Sequence, residues 1–109
     1  MNDSDIEEFV ADRPSIAPRV TMRDLENNIK HIEIVTHASM GGSILRWAVL
    51  TTRNGFAVTG KPSAAVSRAN DNAELGEKIA IDNARHELWA LMGYALKEQL
   101  SAMEEDHHV

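Results

Sequence analysis

The chain of 109 residues contains no cysteine. That excludes disulfides, thiolate nucleophiles and cysteine-based zinc sites, and it fits a reducing compartment. No apolar run approaches the length needed to cross a bilayer. The opening MNDSDIEEFV lacks the basic segment and apolar run of a signal peptide. The expectation is a soluble, cytoplasmic protein with no membrane partner. With 43% hydrophobic residues, the chain has enough apolar side chains to fold into one domain with a modest core.

Acids are missing from the middle. None occurs between Glu33 and Asp71, whereas Arg46, Arg53, Lys61 and Arg68 all fall there. The formal charge of −6 comes from the ends. Asp3, Asp5, Glu7, Glu8 and Asp12 at one end and Glu98, Glu104, Glu105 and Asp106 at the other contribute −9, which leaves +3 for residues 13–97. A basic island between acidic ends has two readings. One is a solvated sheet face with solubilising tails; the other is a surface for an anion or an acidic protein patch.

Residues 1–20 read as an acidic arm. Ser4-x-x-Glu7 is a capping-box pattern, and Ile6, Phe9 and Val10 line one side of a short helix that Pro14 and Pro18 stop. Residues 21–103 read as one domain and 104–109 as an acidic, frayed tail. Within the domain, Thr21 is the N-cap of a helix whose apolar face is Met22, Leu25 and Ile29. His31–His37 is β-branched and partly alternating, a strand.

Ile44 to Lys61 reads as a hairpin. Asn54-Gly55 predicts a two-residue type I′ turn. Arg53 then faces Phe56, Thr51 faces Val58 and Val49 faces Gly60. Leu45, Trp47, Val49, Phe56 and Val58 form the expected core face, with Arg46, Ala48, Leu50, Thr52, Ala57, Thr59 and Lys61 on the other. Residues 61–72 read as a loop. Asp71-x-x-Glu74 opens a long helix whose broad apolar face is Ala84, Leu88, Leu91, Met92, Ala95, Leu96 and Leu100, with Gly93 a candidate bend or break. The fold class is therefore two-layer α+β: a three-stranded antiparallel sheet with a central hairpin, packed by a short N-terminal and a long C-terminal helix. Its open edges predict pairing with a second copy.

No catalytic set emerges. His31-x-Glu33-x-x-x-His37 places three ligand types on one strand face, but its outer members lie about 20 Å apart, too far for one metal ion. Gly60-Lys61-Pro62-Ser63 lacks the upstream glycine of a phosphate loop, and Pro62 removes an amide donor. Asp82-Asn83-Ala84-Arg85-His86-Glu87 has no nucleophile at a matching position. Asn83, His86, Tyr94 and Lys97 share one helix side, with Arg85 nearby, a candidate pocket for a planar or phosphorylated ligand. Trp47 and Phe56 fall on the expected core face and the chain is acidic, so nucleic-acid binding is not expected.

Two blocks carry a resemblance. Leu50-Thr51-x-x-Asn54-Gly55-Phe56-x-Val58-Thr59-Gly60 is the first. The second runs Glu74-Leu75-Gly76-x-Lys78-Ile79-Ala80-x-x-Asn83-Ala84-Arg85-x-x-Leu88-Trp89-x-Leu91-x-Gly93-Tyr94-x-Leu96-Lys97-x-x-Leu100. In this order they resemble a family of small tailed-phage proteins, known by gene forty-nine of an N4-type coliphage and gene sixty-six of a Shigella phage. The resemblance covers about residues 21–100. It implies phage or prophage origin, an accessory role and action in the host bacterial cytoplasm. It carries over no activity, cofactor, metal site or catalytic residue. The expectation is a non-enzymatic protein that binds and inhibits a host protein, such as a defence component of the CRISPR effector type. The alternative is a homodimeric sponge for a nucleotide immune signal. Arg46, Arg53, Lys61, Arg85, Tyr94 and Lys97 are the expected ligand- or partner-binding residues.

Overall fold

A computed structural model of the chain describes residues 18–107. The expected arm helix with Ser4, Glu7, Ile6, Phe9 and Val10, and its stop at Pro14, lie outside the described residues. The elements are α1 (Met22–Asn27), β1 (Ile29–Ala38), β2 (Ile44–Thr52), β3 (Ala57–Thr59), β4 (Ser63–Ala65), a 3-10 turn (Arg68–Asn70) and α2 (Ala73–His107). The α+β class is as expected, and the segment after Lys61, read as a loop, adds a short fourth strand. Residues 28–88 form one compact unit with the sheet and the first part of α2, and α1 and the rest of α2 belong to a second.

In the second unit, Thr21 caps α1. Its Oγ1 accepts from the Asp24 N–H at 3.1 Å, and the Asp24 carboxylate accepts from the Thr21 N–H at 2.9 Å. This reciprocal pair is a capping box with aspartate in the glutamate position. These bonds, the backbone one first, hold the Asp24 carboxyl below the usual range. Leu25 is fully buried. Helix α2 passes Gly93 without a break and continues beyond Glu104, where a frayed tail was expected. Its buried stripe is narrower than the spacing predicts: Ala84 and Leu88 are buried, but Leu91 and Ala95 are exposed.

In the sheet unit, β1 lies antiparallel to β2 from Ala38↔Ile44 to His31↔Thr51, with an irregularity between Ile29 and His31. The other edge of β2 is shared: Val49–Thr51 pairs with β3 and Ile44–Arg46 with β4. Strand β1 is thus an edge strand over its whole length.

The hairpin corrects the expected register. Leu50 faces Val58 and Thr51 faces Ala57, one residue away from the predicted pairing. The turn has three residues, not two. The Gly55 N–H donates to the Thr52 carbonyl at 2.9 Å, and the Thr52 N–H donates to the Phe56 carbonyl at 2.9 Å. Within the turn only Gly55 has positive φ, at 88°, so Asn54 does not take the type I′ conformation. This is the geometry of a type I turn closed by a left-handed glycine. The Asn54 side chain secures it, accepting from the Phe56 N–H at 3.1 Å and from the Thr52 hydroxyl.

The buried face is corrected as well. Ile44, Arg46, Ala48, Leu50 and Thr52 are buried, whereas Leu45, Trp47 and Val49, the expected core, are only half-buried and Phe56 is exposed. Val58 stays in the core, on the same face as its partner Leu50. The reason lies on the helix. Its sheet-facing stripe is Gly76, Ala80 and Ala84, followed by Leu88. Such small residues let the helix axis approach the sheet closely, and the modest side chains of this β2 face fill the remaining space. Gly60 marks the closest approach: a Cβ there would lie 2.4 Å from the Asn83 carbonyl carbon. Gly60→Ala is expected to destabilise the fold by ~1–3 kcal/mol through overpacking against backbone that cannot yield. Gly41→Ala, where a Cβ meets nothing within 4 Å, is expected to stay within ~0.5 kcal/mol. Urea denaturation of the two variants checks the contrast.

Candidate functional site

Arg46 stands in the middle of the buried face of β2, 7% exposed. Its guanidinium forks onto Asp71, with Nη1 and Nη2 donating to the two carboxylate oxygens at 2.6 and 2.7 Å. Parallel two-point contacts of this kind are the strongest form of the arginine–carboxylate pair. The hydrogen bonds from Arg46 hold the Asp71 carboxyl below its ordinary range, against the opposing effect of burial, and Asp71 raises the Arg46 pKa in return. Asp71 precedes the start of α2 and does not cap it. That role falls to Asn72, whose Oδ1 accepts from the Leu75 N–H at 3.0 Å. Gly76 completes the arrangement, because a Cβ there would stand 2.9 Å from Arg46 Nη1.

A shallow cavity of about 100 Å³ opens beside this pair, lined by Ser63, Asn70, Asn72, Leu75 and Ile79 among others. Nucleotide and cofactor sites are usually some 300–1,000 Å³, and the cation bordering this cavity is already neutralised by Asp71. The cavity suits water or a small polar group better than a charged ligand.

The other expected site residues do not gather around it. Arg53 is exposed at the hairpin tip, where its backbone N–H donates to the Asn28 carbonyl at 3.1 Å. Arg46 and Arg53 are seven residues apart on β2 and its turn, about 23 Å at the rise of an extended strand. Lys61 is exposed, and its carbonyl accepts from Asn83 Nδ2 at 2.9 Å. That bond gives Asn83 a structural role. Arg85 pairs with Asp82 at 3.2 Å. Tyr94 and Lys97 are exposed and belong to the second unit.

The inverted burial of β2 produces a surface that the sequence pattern placed in the core. Leu45, Trp47 and Val49 share one sheet face with His37, Val35 and Glu33 opposite them on β1. Thr59 on β3 and Ala64 on β4 extend it. The face has a half-buried apolar centre and exposed His31, Glu33 and His37 along one side. His31 Nε2 and Glu33 Oε1 lie 3.7 Å apart. The ion-pair role of Asp71, buried Ser63 and the incomplete burial of Trp47 all escaped the sequence reading. Asp71 was read as the start of a capping box, and its position as the first acid after a long acid-free stretch was the other signal.

Residues 20–100 match the phage protein (N4 Gp49/phage Sf6 gene 66) family. The chain belongs to that family. The match spans about three-quarters of the 109 residues, and covers the sheet, Arg46, Asp71 and α2 as far as Leu100. Comparison with curated proteins and with solved structures returns no match. Among the described residues no helix is long and apolar enough to cross a membrane.

The Arg46–Asp71 pair leads to a prediction with a definite sign. Folding lowers the Asp71 pKa, so its stabilising effect is complete above the unfolded carboxylate value of about 4 and is lost as pH falls through the lower folded value. Asp71→Asn is expected to lower the urea midpoint at pH 7 and to flatten its dependence on pH in the acid range. Asp24 shifts in the same direction and leaves some slope behind. Replacing both partners, as in Arg46→Met with Asp71→Leu, is expected to cost less than Asp71→Leu alone, because the single change leaves a buried guanidinium without its carboxylate. Urea titrations of the singles and the double between pH 3 and 7 measure both effects.

Proposed function

We propose that this member of the phage family is a non-enzymatic accessory protein. It works in the host bacterial cytoplasm by binding and inhibiting a host protein, and the target class is a defence component. The observation that carries this reading is the half-buried sheet face centred on Trp47. It presents part of a large aromatic side chain, of the kind enriched at binding hot spots, beside the exposed polar residues of β1. The acidic ends suit a target with a basic surface, such as one that handles nucleic acid. We further propose that the protein acts as a homodimer.

The alternative, a sponge for a nucleotide signal, requires Arg46, Arg53, Arg85, Tyr94 and Lys97 to converge on one ligand. The occupation of Arg46 by Asp71 and its distance from Arg53 weigh against that set.

Capture from a bacterial host lysate with tagged protein tests the reading when it is done in parallel with Trp47→Arg. The expected outcome is one stoichiometric host protein with the wild type and at least tenfold less with the variant, both baits being folded by circular dichroism. Equal capture by the two baits would remove the open face from the account. A thermal upshift with a nucleotide panel and no captured protein would favour the sponge.

A further inference from the structure

Strand β1 has ten residues, no proline or glycine, and only one lysine to discourage pairing. It forms a ladder with β2 alone, and among the described residues no other strand pairs with its outer edge. Eight of the ten residues are exposed, Val35 by about half. A long edge of unpaired N–H and C=O groups invites another strand.

We propose that this edge pairs antiparallel with the same strand of a second copy, with Val35 facing Val35 of the partner subunit. The inference rests on the homodimer proposed above but not on what the dimer binds. Hydrogen-bonding geometry limits the choices first. Along β1, alternate residues turn their N–H and C=O outward, and residues directly opposite in an antiparallel ladder must either both do so or both not. A symmetric β1–β1 ladder must therefore be centred on a residue facing its own copy.

Side chains then decide among the centres. A ladder centred on Glu33 sets two carboxylates against each other, and one centred on Ile34 sets His31 against the partner's His37. A centre at Ile32 runs into the irregularity between Ile29 and His31. A centre at Thr36 puts Val35 against the partner's His37 and leaves Glu33 beyond the end of the strand. The Val35 centre places Glu33 opposite the partner's His37 twice, once on each side of the axis. It also sets Ile34 opposite the partner's Thr36. A carboxylate facing an imidazole makes a polar cross-strand pair, whereas two carboxylates in directly facing positions oppose the ladder.

The same register joins the open faces. Trp47 sits beside Val35 in the sheet. Pairing at Val35 therefore makes a continuous apolar row: Trp47, Val35, and then the partner's Val35 and the partner's Trp47. Both copies present this face on the same side, because a two-fold axis through an antiparallel ladder is perpendicular to the sheet. The result is one eight-stranded sheet with a single, doubled docking surface.

The absence of cysteine makes a direct test simple. Opposed strand residues have Cα atoms about 4.5–5.5 Å apart, within reach of a disulfide. Light scattering on the purified chain, with no host protein present, is expected to give twice the 12.1 kDa chain mass. Under diamide, Val35→Cys is expected to form a covalent dimer at least tenfold faster than Glu33→Cys or His37→Cys. Val35→Lys is expected to be monomeric with an unchanged circular dichroism spectrum, since Val35 already meets solvent. A monomeric wild type at 100 μM would overturn the proposal. A dimer in which Val35→Cys is no faster than its neighbours, or which folded Val35→Lys leaves intact, would overturn this edge and register. Neither result depends on capture of a host protein, so the two readings fail separately.

Discussion

A guanidinium on the buried face of a central strand is a demanding feature, and the sheet unit is organised around it. Arg46 is flanked along its face by Ile44 and Ala48 and lies against α2, so water cannot solvate it fully. The two carboxylate oxygens of Asp71 supply both partners at short range. That contact requires the start of α2 to lie over the middle of β2. It also requires room beside the guanidinium, which Gly76 provides. Further along, Ala80 and Ala84 keep the helix close to the sheet, and Gly60 admits its backbone. A larger side chain at any of these points would push apart the two elements that the ion pair joins. Buried pairs of this kind add less to net stability than to uniqueness, because desolvation offsets much of their attraction. Here the pair selects one of two faces of β2.

The other face follows as a consequence. With Arg46 inward, strand alternation turns Leu45, Trp47 and Val49 outward. These are large apolar side chains left only half-buried, and their incomplete burial forgoes part of the stabilisation that full burial would give. A protein that keeps such a face open gains from covering it with a partner. This connects the burial of one arginine to the proposed inhibitory role and to the pairing of β1 edges, which extends the same surface across two copies.

Much of the fold was legible in the sequence. Thr21 marked the start of α1, Asn54-Gly55 marked the turn, and the spacing from Glu74 onward marked the long helix. The errors have specific physical causes. Asn-Gly serves both two-residue and three-residue turns, and the bonds among Thr52, Asn54 and Phe56 select the longer one. A slip of one residue then changes which face Val58 joins. Binary patterning assigned Leu45, Trp47 and Val49 to the core because hydrophobicity is the only local indicator of burial. The actual selection is made by Asp71, 25 residues away from Arg46. A pairing of that range leaves no periodic trace. The expected ligand residues were chosen for chemistry rather than position, and the structure puts Arg46 and Asn83 to structural use while Tyr94 and Lys97 belong to the second unit.

The central claim is that β2 buries its Arg46 face and leaves its Trp47 face only half-buried. Thiol reactivity along the strand tests it most directly, because the chain carries no competing cysteine. Single cysteines at Leu45 and Val49 should react with a soluble maleimide far faster than cysteines at Ala48 and Leu50, which are fully buried. Native-like circular dichroism for each variant is the necessary control. Fast labelling at 45 and 49 with protection at 48 and 50 is the predicted alternation. The reverse alternation would show Leu45, Trp47 and Val49 in the core, and would contradict both the role given to Arg46 and the open face derived from it.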